Sequence, residues 1–382
     1  MLTSRQRLQT VLAGKRPDCV PVAPDFSNMI PARLTGKPFW QLYLYNDPPI
    51  WEAYVAAAKL FNIDSLMDGF APLRFPDEAA AAQEKWEPFI VKHTPDRLYV
   101  QSAQDAGGGK RRWSDTCTVY YVADPPTGGV PLAKVGLPAV PMRFEPVEGR
   151  RPVDASPAGF ARAKRLLGDQ GLTGAWLTCS SVLNNEASIY DYYDHPEKYE
   201  ALAEKRVADV EARFARILSM PATDRPDFLC VGGSGTLVFQ TVDIFRKVAF
   251  PAVKRGIELA TAAGIPTHIH SCGPEKELVK IMAEETTLTL IDPLEIPPMG
   301  DCVLADLKRL YGHRIVLKGN LHTTEVLLRG SVADVVAASK RAIDDAAAGG
   351  RFILSTGDQC GRDTPDENVR AMVDTARTYG RY

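Results

Sequence analysis

Residues 266–273 of this sequence read Pro-Thr-His-Ile-His-Ser-Cys-Gly, and this stretch decides both the expected fold and the expected site. Its β-branched and aliphatic residues indicate a short buried strand, which ends in a turn before an amphipathic helical segment. Side chains two apart in a strand point to the same side, so His270 and Cys272 present one imidazole and one thiol together. Both are ligand types that zinc prefers. The stretch therefore predicts a strand tip that carries metal-binding side chains.

Composition places the chain among globular proteins and excludes several function classes. The sequence has 382 residues, of which 45% are hydrophobic and 24% charged, and its formal net charge is −2. Such a balance gives no basic surface for nucleic acid, and no run of about 18 apolar residues would cross a membrane. The seven scattered cysteines favour free thiols in a reducing compartment. We expect a cytoplasmic protein with no nucleic-acid or membrane partner.

Eight strand-like segments alternate with helical ones along the chain. The strands are expected at residues 19–26, 64–69, 174–179, 227–232, 266–272, 287–291, 314–319 and 351–356. Most are continuous apolar runs, as in parallel strands that are buried on both faces. Residues 75–144 instead show the short alternating runs of antiparallel hairpins. The sequence predicts one domain, residues 1–382, with a (β/α)8 TIM-type barrel fold and an antiparallel β-hairpin insertion at about 75–144, after the second strand.

A second cysteine follows the eighth predicted strand. Barrels place their chemistry at the C-terminal ends of the strands, so His270, Cys272 and Cys360 are expected at one mouth. One nitrogen and two sulfur atoms suit a catalytic zinc ion, with Glu295 as a fourth ligand until substrate replaces it. The simpler alternative is that both cysteines are ordinary buried thiols and that His270 is a hydrogen-bonded barrel residue.

Two thiolate ligands would determine the chemistry of such a zinc ion. They donate charge, so the ion activates water poorly but holds an incoming thiol as its thiolate near neutral pH. This favours sulfur alkyl transfer over hydrolysis. Asp358 and Asn320, at the ends of the eighth and seventh strands, are candidates for orienting groups around the site. His268 is expected to face away from His270 and to be structural.

Five segments resemble the uroporphyrinogen decarboxylase superfamily. They are the His-Ser-Cys-Gly turn at 270–273, Asp-Pro-Leu-Glu at 292–295, Lys-Gly-Asn-Leu at 318–321, Ser-Thr-Gly-Asp-Gln-Cys at 355–360 and Thr-Pro-Asp-Glu-Asn-Val at 364–369. Within that superfamily, His-x-Cys with a distant Cys is similar to the zinc motif of the corrinoid-dependent methyltransferases, such as the methylcobamide:coenzyme M enzymes.

The resemblance implies a (β/α)8 barrel and a methyl transfer between a corrinoid and a small thiol, thioether or methyl ether. By position, it implies zinc ligands at His270, Cys272 and Cys360, with Glu295 as the fourth. Cobalamin is the implied methyl carrier, and a separate corrinoid protein is its expected holder because this chain has no Asp-x-His-x-x-Gly cobalamin motif.

Two other functions stay open from the sequence. A metal-free decarboxylase of the uroporphyrinogen type would use Asp25 or Asp68 as its acid group. Residues 24–31, however, lack the arginine-rich turn of the true decarboxylases, so a tetrapyrrole with many carboxylates would lack cationic partners. A non-catalytic corrinoid- or metal-binding accessory protein would bind cobalamin without turnover.

Overall fold

The structure is a computed structural model in which residues 1–80 and 86–382 are described. Its strands are β1 (Ser65–Met67), β2 (Glu87–Thr94), β3 (Arg97–Asp105), β4 (Arg111–Tyr121), β5 (Thr127–Pro131), β6 (Glu145–Pro146), β7 (Gly171–Trp176), β8 (Phe228–Cys230), β9 (Thr267–His270), β10 (Leu290–Asp292), β11 (Val316–Leu321) and β12 (Phe352–Thr356).

The helices surround these strands and separate most of them along the chain. They are α1 (Ser4–Leu12), α2 (Met29–Leu34), α3 (Phe39–Tyr43), α4 (Ile50–Phe61), α5 (Pro76–Ala80), α6 (Pro157–Leu167), α7 (Glu186–Asp194), α8 (Pro196–Ser219), α9 (Val242–Ile244), α10 (Phe250–Ala262), α11 (Lys276–Glu285), α12 (Leu304–Tyr311), α13 (Val332–Ala346) and α14 (Asp366–Thr378). Among the described residues, no helix has both the length and the hydropathy to span a bilayer.

Seven strands form one parallel sheet in the order β1-β7-β8-β9-β10-β11-β12. Each corresponds to a strand expected from the sequence, from residues 64–69 to residues 351–356. Parallel neighbours require long crossover connections, and the helices that make them pack their apolar faces on the outer side of the sheet. This arrangement confirms the predicted α/β class.

The predicted first strand, residues 19–26, differs from the other seven. Its parallel pairing with β12 is limited to one bridge at Val22. On its other side, the Asp64 N–H donates to the Val22 carbonyl at 2.8 Å. Pro21 and Pro24 have no N–H to donate, so a regular hydrogen-bond ladder cannot extend through them. The segment therefore lies between β12 and β1 but is joined to them by few bonds.

An apolar cluster covers the inner face of the sheet near the N-terminal ends of its strands. Alternation along β8 directs Phe228 and Cys230 inward and Leu229 outward. Leu8 and Val11 of α1 pack in the same inner cluster as Phe228. Most of the cluster lies near the N-terminal ends of the strands, so the polar side chains at their C-terminal ends stand above a packed interior.

A second sheet is antiparallel, with the order β5-β4-β3-β2-β6. It occupies Glu87–Pro146, between β1 and α6, and overlaps the insertion expected at about 75–144. Residues 81–85 of that expected insertion lie outside the described part of the chain. The sheet has a small core of its own, built around Tyr99 and Cys117.

One arginine ties the antiparallel sheet to the loop after β12. Arg362, two residues past Cys360, forms an ion pair with Asp124 at 2.7 Å and also donates to the Ala123 carbonyl. Both acceptors lie in the turn between β4 and β5. The tip of the insertion is thereby held next to the loop that carries Cys360.

Asp64 connects four parts of the fold. It is fully buried and accepts from Arg7 Nη1 at 2.7 Å, from Arg377 Nη1 at 2.8 Å and from the Val22 N–H at 2.8 Å. Helix α1, the segment around Val22, the start of β1 and helix α14 thus share one carboxylate. A buried charge is tolerated only when it is paired in this way.

We expect Asp64→Ala to lower the free energy of unfolding by about 3–5 kcal/mol, because it removes the buried carboxylate that Arg7 and Arg377 share and leaves Arg7 with Asp18 as its remaining carboxylate partner. The matched control is Asp209→Ala, which removes an exposed pair with Lys205 and should cost less than about 1 kcal/mol. Urea unfolding of the two variants measures both values. Equal losses would show that Asp64 does not hold these elements together.

Candidate functional site

Three cationic or hydrogen-bonding side chains, of which His268 and Lys318 are buried and His270 is partly buried, converge on Asp292 at the end of β10. Its Oδ1 accepts from His268 Nε2 at 3.0 Å and from His270 Nδ1 at 3.1 Å, and its Oδ2 pairs with Lys318 Nζ. An ionised carboxylate can only accept, so each ring donates an N–H. Burial alone would raise the pKa of Asp292, but Lys318 and the histidines hold it well below its usual value. The carboxylate therefore fixes the orientation of both rings.

The two histidines lie on the same face of β9, so the expectation that His268 faces away from His270 was wrong. Residues two apart in a strand point alike, and the intervening Ile269 packs outward in the core under the helices. Both rings consequently reach Asp292 from one side. The same alternation rule, applied correctly to the sequence, would have placed His268 at the site.

His270 turns its remaining nitrogen towards a pair of carboxyl groups. Its Nε2 lies 3.5 Å from Asp358 Oδ1. Asp25, His270 and Asp358 each offer one ligand atom, and these atoms lie within 4.8 Å of one another. The Asp358 Oδ1 is buried and has no hydrogen-bond partner. One nitrogen and two oxygen atoms so placed are able to hold a metal ion.

Asp358 has a strained backbone conformation and a raised side-chain pKa, two properties that are common at functional sites. Its φ of 101° is unfavourable for a residue with a Cβ, and such strain is concentrated at functional sites. Burial raises the pKa of Asp358 to about 6, with additional increases from the charges of Asp25 and Glu295 and a decrease from His270. Burial likewise raises the pKa of Asp25. The acidic groups therefore favour a cation or a proton between them.

Of the two predicted sulfur ligands, Cys272 is half-buried and Cys360 is fully buried. Cys272 also affects His270: burial alone would lower the pKa of His270, but hydrogen bonds to Asp292 and to Cys272 raise it well above its usual value. Cys360 is fully buried, its N–H donates to the Asp25 carbonyl at 2.8 Å, and burial raises the pKa of its thiol to about 12. In the described chain, His270, Cys272 and Cys360 do not form a group with ligand atoms within 4.8 Å. The zinc trio stays a prediction.

Glu295 and Asn320 act on the loops around these ligands. Glu295 is 6% exposed, and its Oε2 accepts from the Gly273 N–H, next to Cys272, at 2.5 Å. Asn320 Nδ2 donates to the Leu294 carbonyl at 3.0 Å. Glu295 thus lies beside the predicted ligands, whereas Asn320 supports the turn that carries Glu295. The catalytic roles of Glu295, Asp358 and Asn320 also stay predictions.

A cavity of about 430 Å³ opens above His270. Its lining residues come from the C-terminal ends of several strands and from neighbouring loops: Asp25, Ser27, Asn28, Met29, Ile50, Asp68, Gly69, Phe70, Pro125, Trp176, Ser234, His270 and Gln359. This is the end at which parallel barrels place their active sites. The volume suits a small molecule. No arginine or lysine of the described chain is part of the lining.

Comparisons with known proteins relate this arrangement to one family. The sequence profile of the family described as uroporphyrinogen decarboxylase (URO-D) matches residues 170–379. Methylcobamide:CoM methyltransferase MtbA of Methanosarcina mazei is 23% identical in an alignment of 338 residues that covers 84% of each chain. A solved structure described as a methyltransferase from Methanosarcina mazei is 18% identical, covers 99% of each chain and gives a TM-score of 0.57. At that identity, the structural likeness shows a shared fold.

We expect Asp292→Asn and Lys318→Met to be strongly coupled in their effects on stability. Asp292→Asn leaves the buried ammonium of Lys318 without the carboxylate bonded to it, and Lys318→Met leaves the Asp292 carboxylate with the two histidines as its remaining partners, whereas the double variant removes both charges. A double-mutant cycle by urea unfolding should give an interaction energy of about 1–3 kcal/mol. The exposed pair Lys205 and Asp209 is the matched control, with an expected coupling below about 0.5 kcal/mol. Additive losses at Asp292 and Lys318 would contradict the geometry described above.

Proposed function

The chain belongs to the uroporphyrinogen decarboxylase (URO-D) family, and we propose that it is a zinc-dependent methyltransferase that moves a methyl group between a corrinoid and a small thiol, thioether or methyl ether. The 23% identity to a methylcobamide:CoM methyltransferase, over 84% of both chains, supports corrinoid-dependent methyl transfer. The chemistry of the residues at the mouth of the sheet supports a metal-assisted version of it.

The placement of the His270 ring carries this proposal. The Nδ1 of His270 is hydrogen-bonded to Asp292, so Nε2 is the nitrogen that is free to bind a metal ion. Histidines that bind metal ions commonly have a carboxylate hydrogen-bonded to their other nitrogen. Asp358 lies far from His270 in sequence, yet its carboxyl group and that of Asp25 lie within 4.8 Å of the ring. The N–H of Cys360, two residues on from Asp358, donates to the Asp25 carbonyl at 2.8 Å, which supports the proposal that Cys360 belongs to the same group.

We assign the zinc ligands to His270, Cys272 and Cys360, with Glu295 as the fourth ligand in the absence of substrate. Two observations support this assignment: the buried Oδ1 of Asp358 has no hydrogen-bond partner, and Cys272 is one of the groups that raise the pKa of His270. Zinc in a site with two sulfur ligands holds an added thiol as thiolate near neutral pH. The pKa of Cys360 implies that metal binding releases its proton.

The remaining residues position the substrate and handle its proton. In thiol methylation the sulfur bonds to the methyl carbon as the bond from that carbon to the corrinoid breaks, and the thiol loses its proton. Asp358 Oδ1 is placed to accept that proton, since a carboxyl group with a pKa of about 6 is mostly ionised at pH 7. Asn320 orients the site through the turn that carries Glu295.

The size and lining of the cavity bear on partners and on the alternative reaction. About 430 Å³ accommodates a small methylated or thiol substrate, so cobalamin would approach on a separate corrinoid protein docked at the mouth. In a porphyrinogen decarboxylase, the carboxylates of the substrate need cationic partners. Among the residues that the structure describes, the cavity lining includes Asp25 and Asp68 but no arginine or lysine. This disfavours the decarboxylase alternative.

We also propose that the fold is a complete (β/α)8 barrel, with residues 19–26 as its first strand, which closes the barrel between β12 and β1, and with the antiparallel sheet inserted after the second strand. The Val22 bridge to β12 and the bond from the Asp64 N–H to the Val22 carbonyl support closure between the two edge strands. The fold shared with a solved methyltransferase over 99% of both chains is consistent with it.

We expect the purified protein to contain about one zinc ion per chain at this site, and expect Cys272→Ala and Cys360→Ala each to remove it, because each change deletes one of the ligands. Cys117→Ala, which deletes a buried thiol in the antiparallel sheet, is the matched control and should retain the metal. Elemental analysis of the desalted proteins gives the answer. Folded wild-type protein that takes up no zinc would end the proposed mechanism.

We expect demethylation of methylcobalamin in the presence of a small thiol, measured by the change in the corrinoid absorption spectrum. Cys272→Ala should lower the rate at least about a hundredfold, since the thiol loses its metal. Asp358→Asn, which keeps the shape but removes the proton acceptor, should lower it by about 10²–10⁴. Turnover that is insensitive to Cys272→Ala would refute the metal-assisted reaction.

A further inference from the structure

We propose that Asp68, Cys230 and His268 form a second metal site, inside the sheet, which takes a divalent transition metal ion of the zinc class. Asp68 follows β1, Cys230 ends β8 and His268 lies within β9. One ligand atom from each lies within 4.8 Å of the other two. This site shares no ligand with the one assigned above, and it does not depend on the proposed reaction.

His268 provides the main observation. Its side chain is 3% exposed, and its Nε2 donates to Asp292 Oδ1 at 3.0 Å. The other ring nitrogen, Nδ1, is buried and has no hydrogen-bond partner. A neutral ring that donates through Nε2 has a bare lone pair at Nδ1, and leaving such an acceptor unpaired in the interior costs free energy.

The group that faces this lone pair is itself an acceptor. Asp68 Oδ2 lies 3.6 Å from His268 Nδ1, slightly beyond hydrogen-bond distance. Two acceptors directed at each other repel unless a positive charge lies between them. A metal ion supplies that charge, and the bond from His268 to Asp292 then acts as the carboxylate support commonly found behind metal-ligating imidazoles.

Cys230 supplies a third donor of a different type. It is 2% exposed and lies in the inner layer, with the ring of Phe228 packed against His268. Burial raises the pKa of its thiol well above the usual value, and the charges of Asp68 and Asp292 add to this, so the free thiol is protonated. Coordination to a divalent ion reverses this, because a coordinating thiol loses its proton. Nitrogen, oxygen and sulfur together favour zinc-class ions over calcium or magnesium.

Asp68 gives the proposed site a route for ion entry. It lines a small internal cavity of about 20 Å³, whose lining includes Asp292 and Lys318 but neither Cys230 nor His268, so this cavity adjoins the three ligands on the Asp68 side. Asp68, Asp25 and His270 line both this space and the open cavity of about 430 Å³. Asp68 is 28% exposed, so one ligand is reachable from the mouth while the other two are buried.

The competing explanation is a proton instead of a metal ion. A doubly protonated His268 would donate through both nitrogens, to Asp292 and to Asp68, and would leave Cys230 as a bystander. The two explanations differ in the state that they require for Cys230: a metal ion requires its thiolate, whereas a proton on His268 does not. The test therefore needs a probe that reports sulfur ligation.

Cobalt(II) is such a probe, because thiolate ligation produces a near-ultraviolet charge-transfer band. The test uses the full chain carrying Cys272→Ala and Cys360→Ala, which removes the cysteines of the zinc site assigned above. We expect this metal-stripped double variant to bind cobalt with the charge-transfer band, at about one sulfur-ligated ion per chain. Any ion held by Asp25, His270 and Asp358 would lack sulfur and would not contribute to the band.

Further substitutions in the double variant identify the ligands. Cys230→Ala should abolish the band, and His268→Gln and Asp68→Asn should each weaken cobalt binding at least about tenfold. Cys117→Ala is the matched control and should leave the band unchanged. If Cys230→Ala does not fold, as judged by circular dichroism, Asp68→Asn decides, since it changes a partly exposed side chain at constant shape.

The outcomes separate this site from the proposed function. A double variant without the band, a band that survives Cys230→Ala, or cobalt binding unaffected by Asp68→Asn would overturn the second site. Failure of the methyltransferase proposal has a different signature: wild-type protein and the double variant would then give the same charge-transfer intensity per chain.

Discussion

The carboxylate of Asp292 is the constraint on which the rest of the site depends. It lies on β10, whose neighbours β9 and β11 supply the two histidines and Lys318. Three adjacent strands are thus cross-linked by one buried charge near their C-terminal ends. In a low-dielectric interior such a charge persists only because all its partners are present. The result is that both imidazoles are held in one tautomer and one orientation before any ligand arrives.

Much of the fold was predictable because it follows from local patterns. All seven strands of the parallel sheet appear where the strand-like segments of the sequence predicted them. Residues 19–26 were harder, since two prolines reduce their pairing to scattered bonds. The curvature of the sheet determines which residues of this segment pair with β12 and which with the start of β1. Sequence periodicity carries no information about that curvature.

The site was predictable in part. The pairing of His270 with a distant strand tip follows from parallel strands that end at one mouth, and Asp358 and Glu295 do lie there. Both nitrogens of the imidazole, however, face oxygens: Nδ1 lies 3.1 Å from Asp292 Oδ1, and Nε2 lies 3.5 Å from Asp358 Oδ1. Distances of a few ångströms between loops from different strands depend on side-chain depth, which the sequence does not reveal. Cys360, for example, proved fully buried.

The site around His270 is therefore richer in carboxyl groups than a reading of its cysteines alone suggests. Asp25, Asp68, Asp292 and Asp358 surround two imidazoles and one lysine within a small volume. Their negative potential concentrates cations and protons in the interior of the sheet. Burial raises the pKa of the Cys230 and Cys360 thiols, and the nearby carboxylates would attract the ion that the proposed metal sites need to displace the thiol protons.

The link from Arg362 to Asp124 has a consequence for how substrate preference is able to change. Pro125, the next residue, lines the cavity above His270, while Arg362 lies two residues from Cys360. The width of the cavity opening and the position of the predicted ligand Cys360 therefore both depend on the ion pair between Arg362 and Asp124. Lengthening or shortening the turn between β4 and β5 would resize the opening and shift Cys360 at the same time. Substrate range and affinity for the proposed zinc ion should then vary together when that turn varies.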